Sequence, residues 1–507
     1  MATLKELRDE RLRKLQELRA LGINPYPSDT HRSNMAGDVA QHFEQFKDKT
    51  VSLAGRILSI RKFGKIAFIV LKDASGQIQL FLKDGIVEKL DSKKGIVGLE
   101  ELHLLDSGDF LQAEGKVIKT QTGEISIEVT ELRLLVKTLR PLPTKVEGFT
   151  NKEERLRRRY IDTNINQDVY DRFIRRSVFW QATRDFLNKN GFVEINIPVL
   201  EHTTGGADAN PFVTNMAALD QDFYLRISQE LPLKRLLGGG YEKVYDIGPR
   251  FRNENYSDEH LPEHIAMEWY WAYADWRDGM KFMTELYRYV IEKTFGTLKF
   301  KKGSFDIDLS KDWKELDYAT VIKENYGLDV FGCTIEEVKA ALKKHKLEVE
   351  KTDNIARGID KLWKNLRKDI AGPVWLINTP KFISPLSKVN LDNENTVQRF
   401  QPIIAGSELG NGFSELNDPI DQLERFMEQQ GMRDAGDEEA MMLDIDFVEM
   451  LEYGMPPACG WGYTERVFWV LEGVSAREGV PFPQMRHEID ATTKTIYPEI
   501  FKKLRKD

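Results

Sequence analysis

Val244-Tyr245-Asp246-Ile247 leads into Phe251-Arg252-Asn253-Glu254, with His260 and then Glu268-Trp269-Tyr270 behind it. The lead-in alternates like a β-strand, and Gly239-Gly240 supplies a turn before it. An arginine and a carboxylate two apart on a strand point to one face. Arg252 and Glu254 can then grip an anion with one group and an amine or amide with the other. Taken alone, such a pair reads better as a surface salt bridge on a hairpin. The rest of the chain has to supply what an anion-gripping strand needs.

The 507 residues are too many for one compact core, so two or more domains are expected. Formal charge is -8, which excludes a global basic field, so a nucleic-acid partner would need local patches. Cys333 and Cys459 form neither a disulfide framework nor a metal cluster and fit a reducing compartment. The N-terminus is a charged helix pattern, not a signal peptide. No apolar run is long enough to span a bilayer. A cytoplasmic protein without a membrane partner is expected.

From Leu4 to Leu21 leucines recur at helical spacing among Arg8, Arg11, Arg13, Lys14 and Arg19. This reads first as a solvated helix packed by its leucines, and second as a nucleic-acid contact. From Val51 onward come short alternating runs at 51–56, 66–71, 77–81, 110–115 and 124–130, with a turn at Asp73-Ala74-Ser75-Gly76. They suggest a small barrel carrying Arg61, Lys62, Lys65, Phe68 and Gln79, a plausible oligonucleotide binder. Phe68 can stack a base and Gln79 can both donate to and accept from a base edge. Phe68 in the core, with the lysines in solvent, is an equal alternative.

Leu139-Arg140-Pro141-Leu142-Pro143 is a stiff linker. A basic helical run, Arg155 to Arg159 and then Arg172, Arg175 and Arg176, opens the larger domain. A helix over 178–190 stops at Gly191, and 192–197 reads as a strand closed by Pro198. Residues 280–370 are mostly amphipathic helix. Three segments gain meaning together with the opening one. Tyr224 to Glu230 follows Gly205-Gly206. In the alternating run Glu408 to Asp418, Asn411, Phe413 and Glu415 share one face. An amide, a ring and a carboxylate in that order match the carboxylate, aliphatic stem and ammonium of a lysine. Gly460-Trp461-Gly462 to Arg466 looks like a glycine-permitted strand-to-helix junction, with Arg466 in the first helical turn.

Together these residues resemble the class II aminoacyl-tRNA synthetases, in the subgroup with the aspartyl and asparaginyl enzymes, and within it the lysine-specific members. The resemblance runs from Leu4 to Arg486. Gly191 to Pro198 is similar to motif 1, Phe251-Arg252-x-Glu254 to motif 2, and Gly460 to Arg466 to motif 3. Asn411 to Asn417, with Glu230 and Tyr270, indicates lysine. Gly64 to Phe68, Gly76 to Gln79 and Thr122 to Glu124 resemble the subgroup's anticodon-binding domain.

The fold implied is α+β: an N-terminal OB-fold barrel and a catalytic domain on an antiparallel sheet flanked by helices. The expected divisions are a helical extension at 1–50, the barrel at 51–140 and a linker at 141–176. The catalytic domain follows at 177–490, with a helical insertion at about 280–375, and a basic tail at 491–507. The reaction implied is activation of L-lysine by ATP to lysyl-adenylate, then transfer to tRNA(Lys) by a homodimer joined near Pro198. Arg252 would bridge the lysine carboxylate and the α-phosphate, and Arg466 would hold the γ-phosphate. Glu254 would read adenine, and His260 would contact phosphates. Gly206 and Glu230 would take the α-amine and Asn411 the carboxylate. Glu415 and Tyr270 would take the ε-ammonium, with Glu268 nearby and Phe413 on the stem. Arg61, Phe68, Gln79 and Glu124 would read the anticodon.

The pattern departs from the family at three positions. His264 stands where a phenylalanine commonly stacks on adenine. Gln401 joins Glu408 where two carboxylates usually coordinate Mg2+. An amide oxygen can ligate that ion but brings no charge. Glu259 precedes His260, where a basic residue is frequent. The rival readings are an aspartyl- or asparaginyl-type enzyme, a relative that lysylates protein, and a non-catalytic RNA-binding relative.

Overall fold

Alternating apolar residues between Thr50 and Val136 close on themselves. In the computed structural model, which describes residues 3–143, 149–207, 209–253, 257–350, 354–436 and 440–504, they form a barrel. Its strands are β1 (Thr50–Phe63), β2 (Ile66–Lys72), β3 (Gln77–Lys83), β4 (Phe110–Lys119) and β5 (Ile125–Val136), in the closed order β1-β2-β3-β5-β4. Inward-facing Leu53, Ile69, Leu80, Leu82, Val117, Ile127 and Val129 fill it, each fully or almost fully buried. Closure leaves no sheet edge exposed.

Contacts divide the chain into Met1–Thr150 with Arg486–Asp507, and Asn151–Met485. In the first unit, helix α1 (Leu4–Ala20) starts at a Thr3–Glu6 capping box and buries Leu15 and Leu18. Much of its charge is spent internally. Arg11 donates to Thr138 and Ser107, Lys14 pairs with Asp106 at 2.8 Å, and Arg13 pairs with Glu10 and Glu17. Beyond Arg486 the chain returns to this unit, with Arg8 5.4 Å from the ring centre of Tyr497.

In the second unit, α2 (Gln167–Lys189) is stopped by Asn190 and Gly191, whose φ of +81° suits glycine. Next come β6 (Val193–Glu194), α3 (Glu230–Gly238), β7 (Lys243–Phe251), β8 (Glu263–Ala272) and α4 (Trp276–Phe295). They are followed by β9 (Lys314–Asp317), α5 (Ile355–Leu366), β10 (Val374–Ile377), β11 (Arg399–Ile404) and β12 (Ser407–Glu408). β13 (Asn411–Ser414), β14 (Ala458–Thr464) and α6 (Arg466–Glu472) complete the frame. The sheet order is β9-β10-β11-β13-β14-β8-β7-β6, with β12 on β11. Its centre is antiparallel, and the edge pairs β6–β7 and β9–β10 are parallel. The architecture is α+β.

Asp275 caps α4, whose Phe282, Met283, Leu286, Tyr287, Val290 and Ile291 make one buried stripe. That stripe and α2 cover one face of the sheet, where Trp269, Phe400, Trp461 and Tyr463 form the core. The other face carries the polar site.

Two local expectations change. The run 192–197 pairs only at Val193–Glu194, because the chain leaves the sheet edge at Asn196, whose Nδ2 turns to Asp246 Oδ1. Strand β7 ends at Phe251. The Arg252 amide donates to Pro262 O at 2.9 Å, and proline has no N–H to return the bond. Arg252 therefore lies past the strand rather than on it, and Glu254 lies outside the described residues.

Candidate active site

Alternation on β8 sends Trp269 into the core and His264, Glu268 and Tyr270 to the polar face. Antiparallel register then sets two rows across β8, β14 and β13. Tyr270 stands opposite Gly460, and Gly460 opposite Phe413. Glu268 stands opposite Gly462, and Gly462 opposite Asn411. The glycines lie inside the strand and leave a trough between the outer side chains. A Cβ on Gly460 would fall 2.0 Å from Glu415 Oε1 and 2.3 Å from Tyr270 Cε1.

Glu230, Glu268 and Glu415 are buried around the trough. Glu268 Oε1 accepts from Ser228 Oγ at 2.9 Å and lies 3.3 Å from Arg250 Nη1. Its Oε2 accepts from the Tyr270 hydroxyl at 3.1 Å. The sequence reading missed the organising group, Lys234 on α3. Its fully buried ammonium donates to Glu230 Oε1 at 2.5 Å, pairs with Glu415 Oε2, and lies 5.2 Å from the Phe413 ring centre. Lys234 is four residues after Glu230, one helical turn away, which is the signal that could have found it.

Burial raises the Glu230 and Glu415 carboxyls above their usual range, only partly opposed by Lys234. Burial alone would lower Lys234, but Glu230 and Glu415 outweigh it and its pKa is raised. Burial pushes Arg250 down to about 10. Three carboxylates against Lys234 and Arg250 leave the cluster one negative charge in excess. Among the described residues Glu415 Oε1 is buried without a hydrogen-bond partner, facing Gly460 and Tyr270. An unpartnered buried carboxylate oxygen in a cluster of net charge -1 suits a ligand ammonium. Gly206, with φ +83°, packs its backbone against Glu230. Arg399 Nε donates to Asn411 Oδ1 at 2.7 Å, which leaves the Asn411 amide nitrogen as the donor at the cavity wall.

A cavity of about 240 Å³ continues from the trough, lined among others by Arg250, Arg252, His260, His264, Asn411 and Arg466. Arg252 Nε is buried and has no partner among the described residues. Burial, then Arg250 and Arg252, hold His264 well below the usual imidazole range, so its ring is neutral. Partial desolvation, then Arg466, lowers His260, whose Nδ1 lies 3.0 Å from Ser257 Oγ. Arg466 opens α6, where Glu465 is held by Arg176 and by the Ile265 amide. Arg466 Nη2 donates to Glu259 Oε2 at 2.5 Å. The acidic residue at 259 thus occupies the guanidinium expected to meet phosphate. Replacing Glu259 with glutamine removes a competitor whose own carboxylate is largely exposed, so the pair is worth about 0.2–1 kcal/mol. The ATP KM of Glu259→Gln falls roughly 1.4- to 5-fold in steady-state kinetics. A rise would show that Glu259 assists nucleotide binding.

The donors fit a resident divalent ion poorly. Gln401 and Glu408 both reach this cavity, but only Glu408 is charged. Glu408 Oε1 accepts from Trp363 Nε1 at 2.5 Å and lies 3.6 Å from Arg367 Nε. Among the described residues no group of three or more acidic, histidine or cysteine side chains is arranged to hold a metal.

In the barrel unit, Ala67 and Ile69 point inward and Phe68 outward. Phe68 stands opposite Arg61 on β1 and Phe81 on β3, and stacks on Phe81 at 5.3 Å between ring centres. Gln79 Nε2 donates to Ser126 Oγ at 3.0 Å, and Glu124 is exposed just before β5. Arg61, Phe68 and Gln79 thus share the outer face, and the even choice for Phe68 falls on that face rather than the core.

Residues 151–486 match the family described as tRNA synthetases class II (D, K and N), and residues 51–135 match the OB-fold nucleic acid binding domain. The chain is 42% identical over 494 residues to the lysine–tRNA ligase of Fervidobacterium nodosum, covering 96% of this chain and 95% of the relative. It is 42% identical over 490 residues to that of Thermotoga maritima (95% and 96%). It is 41% identical over 488 residues to that of Carboxydothermus hydrogenoformans (95% and 98%).

Proposed function

We infer how the site works from one premise: the chain belongs to the class II tRNA synthetases of the D, K and N group. It activates lysine with ATP and transfers it to tRNA(Lys). In the first step a lysine carboxylate oxygen attacks the α-phosphorus, and the bond to the bridging oxygen breaks as pyrophosphate leaves. In the second, a terminal ribose hydroxyl of tRNA attacks the lysyl carbonyl and AMP leaves. The first step joins two anions, so positioning and charge neutralisation lower its barrier most.

Arg252 neutralises the lysine carboxylate and the α-phosphate together; its unpartnered buried Nε supports this. Arg466 holds the γ-phosphate, His260 adds a phosphate contact, and the neutral His264 ring lies beneath adenine. Glu254 keeps its adenine role on resemblance alone. The lysine stem lies over Gly460 and Gly462 beside Phe413. Its α-amine goes to Glu230 and the Gly206 backbone, and its carboxylate to Asn411. Its ε-ammonium goes to Glu415 Oε1 and Tyr270, with Glu268 holding the tyrosine hydroxyl. The excess charge of -1 in this cluster is the observation that carries the reading, because lysine is the substrate with net charge +1.

Mg2+ enters with ATP as part of the substrate, and no step is routed through a metal held by the protein. Arg61, Phe68, Gln79 and Glu124 read the anticodon by stacking and edge contacts, with affinity that falls as salt rises. The enzyme acts in the cytoplasm as a homodimer joined near Pro198, where Val193 and Leu200 are about half exposed. No helix of the described residues is long and apolar enough to cross a membrane.

Lysine-dependent ATP–pyrophosphate exchange, run against aspartate and asparagine, tests the assignment. Exchange is expected with lysine alone, followed by charging once tRNA(Lys) is added. Exchange driven by aspartate or asparagine would overturn it.

A further inference from the structure

The wall shared by Gln401 and Glu408 has lost one negative charge relative to a pair of carboxylates, and a cation stands beside what is left. Arg367 follows α5 directly and is mostly buried. Its Nη1 donates to Gly406 O at 2.5 Å and its Nε lies 3.6 Å from Glu408 Oε1. The same carboxylate oxygen accepts from Trp363 Nε1. Gln401 is buried on β11 and adds no charge. The three groups sum to zero: Gln401 neutral, Glu408 negative, Arg367 positive. A divalent ion held by oxygen ligands depends on their summed negative charge, and here nothing remains to attract it. The Trp363 hydrogen bond already takes up part of the acceptor capacity of Glu408 Oε1. Burial lowers the Arg466 pKa most, and the Arg367 charge is near enough to add to that lowering.

We propose that Arg367 is a positioning and charge-supplying residue that takes the place of a protein-held divalent ion at the Gln401–Glu408 wall, so that activation needs only the ion ATP brings. A guanidinium fixed by one carbonyl and one carboxylate keeps its charge and orientation whether or not free Mg2+ is abundant. This rests on the lysine-activation reading. It goes further in assigning the electrostatics of the triphosphate end to a side chain.

Mn2+ titration of the nucleotide-free protein, followed by electron paramagnetic resonance, tests the wall without catalysis. The wild type is expected to bind no Mn2+ at submillimolar concentration in a way that Glu408→Gln abolishes. The double variant Arg367→Ala/Gln401→Glu, with two carboxylates and no arginine, gains such a site at least ~10-fold tighter. In lysine-dependent exchange at fixed MgATP, the wild type is insensitive to extra free Mg2+. Arg367→Ala loses roughly 10-fold in kcat/KM for ATP at low free Mg2+ and recovers as Mg2+ rises, while Arg367→Lys keeps most activity. A merely structural arginine would give a loss that Mg2+ does not repair. Glu408-dependent Mn2+ binding by the wild type overturns the proposal, and that measurement needs no arginine variant to fold. Absence of lysine-dependent exchange in the wild type would instead sink the parent reading, with the Mn2+ result standing separately.

Discussion

Glu415→Gln loses about 30- to 4,000-fold in kcat/KM for lysine, the equivalent of about 2–5 kcal/mol for removing one member of a buried charge pair. The ATP KM stays near the wild-type value, because Glu415 lies in the trough and does not line the nucleotide cavity. The substitution takes the cluster from one excess negative charge to neutral, and Lys234 is left with Glu230 alone. An incoming ammonium then finds no net charge to meet. The wild type has a matching pH signature. Its Glu230 and Glu415 carboxyls are raised by burial, so as pH falls they take up protons sooner than ordinary carboxylates do. A protonated carboxyl does not pair with an ammonium, so the lysine KM rises as pH falls through that raised range. In Glu415→Gln this rise is flattened. Steady-state kinetics in lysine and in ATP across pH check both points. Unchanged lysine kinetics would remove Glu415 from the specificity pocket.

Gly460→Ala disables the same trough by filling it. The new methyl would sit 2.0 Å from Glu415 Oε1 and 2.3 Å from Tyr270 Cε1, well inside contact distance. Neither neighbour can yield cheaply. Lys234 pins the Glu415 carboxylate, and the Tyr270 hydroxyl is hydrogen-bonded to Glu268 within a central strand. Overpacking of about 1–3 kcal/mol falls directly on lysine binding, a loss of roughly 5- to 150-fold in kcat/KM for lysine. Gly462→Ala fills the same trough floor but clashes less. Its nearest contact is Glu268 Cγ at 3.1 Å, which a small side-chain shift relieves, so a loss smaller than that of Gly460→Ala is expected. Lysine titrations by calorimetry on both variants separate them. Equal losses would place the trough elsewhere.

The parts legible in the sequence are those fixed by local pattern. Strand alternation at 51–130 announced a barrel, and the spacing of Asn411, Phe413 and Glu415 put them on one face. Arg466 stands in the first turn of its helix as the glycine-rich junction implied. The extent of β7 was misjudged because its end depends on the strand it pairs with, where Pro262 cannot return a hydrogen bond to Arg252. Lys234 was overlooked although its spacing from Glu230 was visible, since a helical lysine is ordinarily a surface residue. The Arg466–Glu259 and Arg367–Glu408 pairs join positions 207 and 41 residues apart, beyond the reach of any local pattern.

By itself the sequence determined which residues could carry charge, stack or turn, and on which face of its own strand each would lie. It thereby determined the α+β class and the kind of ligand the chain holds. The tertiary structure alone decided how those charges add up. Cross-strand register brought Gly460 under Tyr270 and Phe413, and burial gathered three carboxylates around Lys234 and Arg250. Side-chain periodicity is a property of one segment. Net charge, desolvation and free space at a point are sums over segments from all along the chain, and they exist only once the chain has folded.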